Sequence, residues 1–199
     1  LVAGAGVTGV MASIAAARAG ARTILVEESG VLGGMLTGGR LTKPTGPVEG
    51  GIFREMIDRT AALGGADAST RRSYWGAYTS IFDPELMQRV ILDLIEESGV
   101  EVLLHARVTD ALKQESRVRG VEMVVKSGRK IILADATVDA SGDGDVAALA
   151  GAEFQLGRPG DGLTQPITSY FRMINVDLGK LLDFLRANPQ EFPDLVLPE

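Results

Sequence analysis

The sequence predicts an α/β fold: a parallel sheet with helices on both faces, an antiparallel β-meander set into it, and the start of a second domain. Three observations predict it. A short apolar run, LVA, enters a glycine-rich turn and an alanine-rich helix, and a second apolar run, ARTILV, follows; this is a β-α-β unit. Residues 107–133 change to strands joined by polar turns. Residues 136–152, ATVDASGDGDVAALAGA, then return to strand, glycine turn and helix.

Each element has its own warrant. The first helix reads from Val7 to its stop at Gly20, and Ala12, Ala15, Ala16 and Ala19 recur on one side, where small residues would let it lie close on a sheet. Residues 28–47 are glycine-rich and have no period, so they read as loop. Helical spacing returns through Ile52, Phe53, Met56, Ile57 and Thr60. Residues 64–80 have no clear period; Tyr74, Trp75 and Tyr78 there either anchor a loop in the core or wall a pocket. The next helix has every signal: Asp83 to cap it, Pro84 in its first turn, a stripe of Met87, Val90, Ile91, Leu94 and Ile95, and Gly99 to end it. VEVLL is a strand, and VEMVVKSGRKIIL is a hairpin about Ser127 and Gly128. A strand then runs to Ala140, and Asp145 is expected to cap the helix after it. Residues 158–177 read as loop then strand, with a helix near Asp177 to Ala187, and the expected boundary between domains divides 1–157 from 158–199.

Composition narrows the function. A net charge of -6 without any long Lys/Arg run argues against nucleic acid or an anionic membrane surface as the main partner and leaves small molecules or a protein. There is no cysteine, hence no thiolate metal site, iron-sulfur ligand or redox dithiol, and redox chemistry would have to come from a cofactor. The single histidine, His105, cannot build a multi-histidine metal site, and no carboxylate pattern for a cation stands out. Arg18 and Glu27 interrupt the most apolar region, so no membrane span is expected, and a soluble, cytoplasmic protein is. The chain begins at Leu1 within what reads as a strand, so it is taken as a fragment, with a signal sequence left open. Its 25 glycines exceed the ~14 expected from average usage of about 7%, which asks for a reason in the backbone.

Three glycine turns supply that reason. In GAGVTG, Gly4 permits a tight turn, Gly6 lets the main chain approach a pyrophosphate, and Gly9 allows close packing of a helix whose N-terminus faces the anion. Glu27, eighteen residues past Gly9, ends the second strand, where its carboxylate can accept from both ribose hydroxyls. NAD and FAD share this half, so the first turn leaves both open. The second turn, LGGMLTGG at 32–39, follows the acid at once, where an NAD unit would continue into a helix and third strand; it reads as a backbone track for a ribityl chain and flavin ring, or as a surface loop. The third, DASGDGD at 139–145, ends another strand, and ligands gather at such carboxyl ends. There Ser141 and Gly142 allow close approach, and Asp143 either holds a hydroxyl or caps a helix.

GAGVTG, VEE, LGGMLTGG, HARV, DASGDGDVAALAGA and GLTQPITSYFRM, in that order, resemble the FAD-dependent oxidoreductases of the glutathione-reductase-like superfamily over nearly the whole chain. The resemblance is nearest to the branch containing the flavin domain of the heterodisulfide reductases and more distant to fumarate reductase flavoproteins. It implies a Rossmann-like FAD-binding domain followed by a substrate or cap domain. It further implies that Gly4, Gly6, Val7, Thr8 and Gly9 meet the pyrophosphate, and that Glu27 meets the ribose. Gly33, Gly34, Met35 and Thr37 would lie along the ribityl and flavin side, where the Gly34 to Gly39 amides would stabilise the reduced flavin. Val108 would meet adenine through its main chain, and Ser141, Gly142 and Asp143 would complete the pocket.

Departures from the pattern set the remaining expectations. Relatives carry a further Gly-Asp flavin element near the C-terminus, cysteine-rich cluster regions, or catalytic Arg and His residues in a cap, and none of these is matched here. His105 follows the third strand on the adenine side, so non-covalent FAD is expected and His105 is a surface or structural residue. No catalytic side chain is named. The expected activity is flavin-mediated oxidoreduction of a small molecule or with a redox partner protein; the alternatives are an electron-transfer subunit of a larger complex and an NAD-dependent dehydrogenase.

Overall fold

A computed structural model describes residues 1–42, 44, 50–67, 71–72 and 78–191, leaving aside the side chains of 71–72 and 78–79. In chain order the elements are β1 (Val2–Ala3), α1 (Val7–Arg18), β2 (Ile24–Val26), a 3-10 turn (Gly34–Leu36), α2 (Gly51–Ala62), β3 (Arg71–Arg72), β4 (Tyr78–Thr79) and α3 (Pro84–Ser98). They continue with β5 (Glu101–Leu103), β6 (Arg107–Gln114), β7 (Arg117–Val125), β8 (Gly128–Leu133), β9 (Val138–Asp139), α4 (Asp145–Leu149), α5 (Leu178–Ala187) and a final 3-10 turn (Pro189–Glu191). Tyr74 and Trp75 lie outside the described residues, as does the side chain of Tyr78.

Four short parallel strands form the central sheet in the order β5-β2-β1-β9, with Val2 opposite both Leu25 and Val138. Side chains alternate across a strand, and the two faces meet different partners. Val2 and Leu25 join a helical core with Val10 and Ile14 of α1, Met56 and Ile57 of α2, and Met87, Ile91 and Leu94 of α3. Ala3 and Val26 point the other way, into a core with Ala106, Val121, Met123 and Val146. That second face is covered by the antiparallel sheet β6-β7-β8 and the short α4. Helices thus flank both faces, as expected: α4 shares the second face with the antiparallel meander, whose buried Val121 and Met123 add to its apolar cover.

Helix α3 shows why local signals are readable. The Asp83 side chain accepts from the amides of Glu85 and Leu86 at 2.9 Å each, Pro84 opens the helix, and Gly99 closes it at φ 69°. Its five-residue stripe is buried as expected, and at about 1.5–3 kcal/mol per side chain this packing, rather than intrinsic propensity, holds a fifteen-residue helix.

Three expectations need correction. On α1 the buried residues are Gly9, Val10, Ser13 and Ile14, while Ala15 and Ala19 are exposed and Ala12 and Ala16 half-buried. Gly9, packed against the carbonyl of Gly4 and the side chain of Ala140, makes the close approach instead, and of the four alanines Ala12 packs against the helical core. Residues 158–177 contain no strand among the described residues, because no neighbouring strand pairs with them there. Asp145 is the first residue of α4, not its cap; Gly144 holds the cap position, and the acceptors come from Asp139 and Ser141.

By its internal contacts the chain divides into two compact units, Leu1–Ile167 and Thr168–Glu199. The second contains α5, whose N-terminus is capped by the Asp177 side chain accepting from the Lys180 amide at 3.1 Å. No described helix is long and apolar enough to cross a membrane.

Candidate cofactor site

All four parallel strands end at one edge of the sheet, and their C-terminal turns carry the residues singled out from the sequence. Gly4 leaves β1 at φ 93°, and a Cβ there would collide with the carbonyl of Ala140 and lie 2.8 Å from Cα of Ser141. The first and third turns are therefore in contact. Gly33 reaches back from the second turn, its amide donating to the carbonyl of Ala5 at 2.8 Å. A Cβ on Gly34 would lie 2.9 Å from Cα of Gly6, so the second turn is also seated on the first.

Gly6 is the open centre of this arrangement. A Cβ there would meet nothing within 4 Å, and no side chain caps the twelve-residue helix that starts beside it. The amides of Val7, Thr8 and Gly9 in the first helical turn have no carbonyl of their own helix to bond. Free amides at the positive end of a helix dipole, beside open space, are suited to a pyrophosphate.

Glu27 is held in position before any ligand arrives. One carboxylate oxygen accepts from the Ala5 amide at 2.7 Å and the other from the Ser29 amide at 2.8 Å, which leaves lone pairs on both for ribose hydroxyls. The Glu27 carbonyl accepts from the Ala106 amide at 2.9 Å, tying the start of β6 to this corner. Val108 follows two residues on, opposite Met123, and packs half-buried against the second core. His105 is exposed at φ 54° and its ring lies against Gly30, where a Cβ would approach Cε1 to 2.8 Å.

Within the second turn the sequence positions divide by role. Met35 is half exposed and Gly34 is exposed. Thr37 is buried, and its hydroxyl donates to the carbonyl of Leu32 at 2.5 Å. The amides of Leu36, Thr37 and Gly39 bond within the loop, to Gly33, Gly34 and Gly34 respectively, which narrows the amide donors from the whole Gly34 to Gly39 stretch to Gly34, Met35 and Gly38.

In the third turn Gly142 and Gly144 adopt φ 97° and 75° with open space beside each, and Asp143 is exposed. The residue missed from the sequence is Asp139. Its Oδ1 accepts from the Ser141 hydroxyl at 2.7 Å and amide at 3.1 Å, and its Oδ2 accepts from the Ala147 amide at 2.8 Å. Burial works against its charged form, but these hydrogen bonds outweigh it and hold the carboxyl below the usual carboxylate range. Only the fold shows this, because it depends on how the turn brings the start of α4 back to the end of β9.

A parallel sheet whose carboxyl edge gathers three bare glycine turns and an acid defines a dinucleotide-binding protein of the α/β type. The chain belongs to the FAD dependent oxidoreductase family, whose model matches residues 1–195. FAD is accordingly its cofactor, which decides between the two dinucleotides. Among curated proteins it is 29% identical over 157 residues to Protein FixC of Salmonella typhi, an alignment covering 68% of this chain and 36% of that protein. FixC of Escherichia coli K12 is 29% identical over 158 residues, with the same coverage of the two chains. The chain thus spans about a third of the length of these relatives. Among solved structures it is similar to THI4 of Thermovibrio ammonificans, with a TM-score of 0.58 and 22% identity over 78% of this chain and 64% of that one. A flavocytochrome c3 fumarate reductase gives a TM-score of 0.54 and 20% identity over 69% and 32% of the two chains. These structural likenesses establish the Rossmann-type fold.

Proposed function

We propose that this chain is the FAD-binding portion of a cytoplasmic flavin-dependent oxidoreductase that holds its cofactor non-covalently across all three glycine turns. In this reading Gly4, Gly6, Val7, Thr8 and Gly9 cradle the pyrophosphate and Glu27 takes the adenosine ribose. Gly33, Gly34 and Met35 lie along the ribityl and flavin side with Thr37 beneath them, Val108 borders adenine, and Ser141, Gly142 and Asp143 close the pocket. Residues 158–199 are the start of a substrate or cap domain, and the reaction partner is a small-molecule substrate or a redox partner protein. FAD supplies the hydride or electron transfer; the chain binds and orients it and excludes water.

The observation that carries this reading is the seating of the second and third turns on the first, at Gly6 and Gly4, which makes one extended ligand able to touch all three. The test is an absorption spectrum of the purified full-length protein, followed by acid precipitation. Flavin bands that pass entirely into the supernatant are expected, and bleaching on addition of NADH would identify one electron donor. A colourless protein that takes up no added FAD, or a flavin that stays with the precipitate, would overturn it.

A further inference from the structure

The third turn is closed by a ring of hydrogen bonds that begins and ends on one side chain. Asp139 is the last residue of β9. It accepts from Ser141 on one carboxylate oxygen and from Ala147 of α4 on the other, while the Ser141 hydroxyl accepts from the Asp145 amide at 2.8 Å. Strand end, turn and helix start are thereby fixed to one another. On the side facing β1 the Ala140–Ser141 backbone lies flush against Gly4, and beyond it Gly142 and Gly144 stand beside open space.

We infer that Asp139 is a positioning residue for FAD: by bracing the turn from Ser141 to Ala147 it holds the bare backbone at Gly142–Gly144 in register with the first glycine turn. The inference rests on the proposal that FAD lies across the three turns. A carboxylate is required because both of its oxygens accept. An asparagine offers one accepting oxygen and one donating amide, so either the Ser141 donors or the Ala147 amide would face another donor. The brace would open on one side and the turn would lose its fixed distance to Gly4.

The test compares Asp139→Asn with Lys113→Ala in the full-length protein. Lys113 clamps the other end of α4, its Nζ donating to the carbonyl of Ala150 at 2.7 Å, so its loss loosens the helix without touching the turn. For D139N the FAD dissociation constant is expected to rise about tenfold or more, the scale of one lost charge-assisted hydrogen bond. K113A is expected to lower the melting temperature of the apoprotein and leave the FAD dissociation constant unchanged. If D139N does not fold, Ser141→Ala, which removes the hydroxyl joining Asp139 to the Asp145 amide, is read in its place and is expected to weaken FAD in the same direction. An FAD affinity within about threefold of wild type in the variant read, or an equal loss in K113A, would overturn the inference. Wild-type protein that binds no FAD would instead overturn the three-turn reading itself.

Discussion

Gly34 is seated on Gly6: the space a methyl group on the first would occupy is already filled, at 2.9 Å, by Cα of the second. Residues twenty-eight apart in sequence thus form one surface of bare backbone. Gly34 holds φ 51°, outside the range ordinary side chains favour, so its lack of a side chain is both a steric and a conformational requirement. The neighbouring Gly6 differs, with φ -64° and open space before it.

That difference separates folding from binding. Gly6→Ala is expected to leave the apoprotein melting temperature unchanged while weakening FAD about tenfold or more, because its methyl enters only the ligand's space. Gly9→Ala, whose Cβ would collide with the carbonyl of Gly4, is expected to cost about 1–3 kcal/mol of stability as well. Thermal melts of the apoproteins alongside FAD titrations check both.

Ile91 of α3 lies beneath the second turn, its Cδ1 2.8 Å from where a Cβ on Gly33 would be. It is fully buried, so Ile91→Ala is expected to destabilise the protein by about 2–5 kcal/mol in chemical denaturation. The cavity opens under the loop, and FAD affinity is expected to fall with stability.

The Asp83 cap satisfies two first-turn amides of the same helix. Asp83→Ala is expected to lose about 1 kcal/mol in denaturant titration, with FAD affinity unchanged under conditions where the protein stays folded.

Three helices are tied together at their outer surface by Arg18–Glu55 at 2.6 Å, Arg59–Glu55 at 2.8 Å and Arg59–Glu97 at 2.7 Å. The hydrogen bond from Arg18, assisted by Arg59 and opposed by partial burial, holds the Glu55 carboxyl below the usual carboxylate range. A folded-state value below the unfolded one means the contribution is complete above about pH 4.3 and is lost as pH falls through the folded value. With its side chain 29% exposed the network is screened, so Glu55→Gln is expected to cost only about 0.5–1 kcal/mol at neutral pH. Melting temperatures of variant and wild type should converge in acid.

Elements whose causes are local were legible in residue type and spacing alone. The Asp83–Pro84 start, the five-residue stripe and the Gly99 stop of α3 act within a few residues, as do the Ser127–Gly128 hairpin and the strand, turn and helix that open the chain. The glycines were legible too, because bare backbone is written directly in residue type. Two distant segments together settle which face of α1 is buried and that the antiparallel meander joins α4 over the second face of the sheet; the Asp139 brace spans only eight residues, but it depends on how the turn folds α4 back onto the end of β9. The reason is that periodicity records that a side chain is apolar or a residue small, whereas burial phase and hydrogen-bond pairing are set by which partner arrives across the sheet edge.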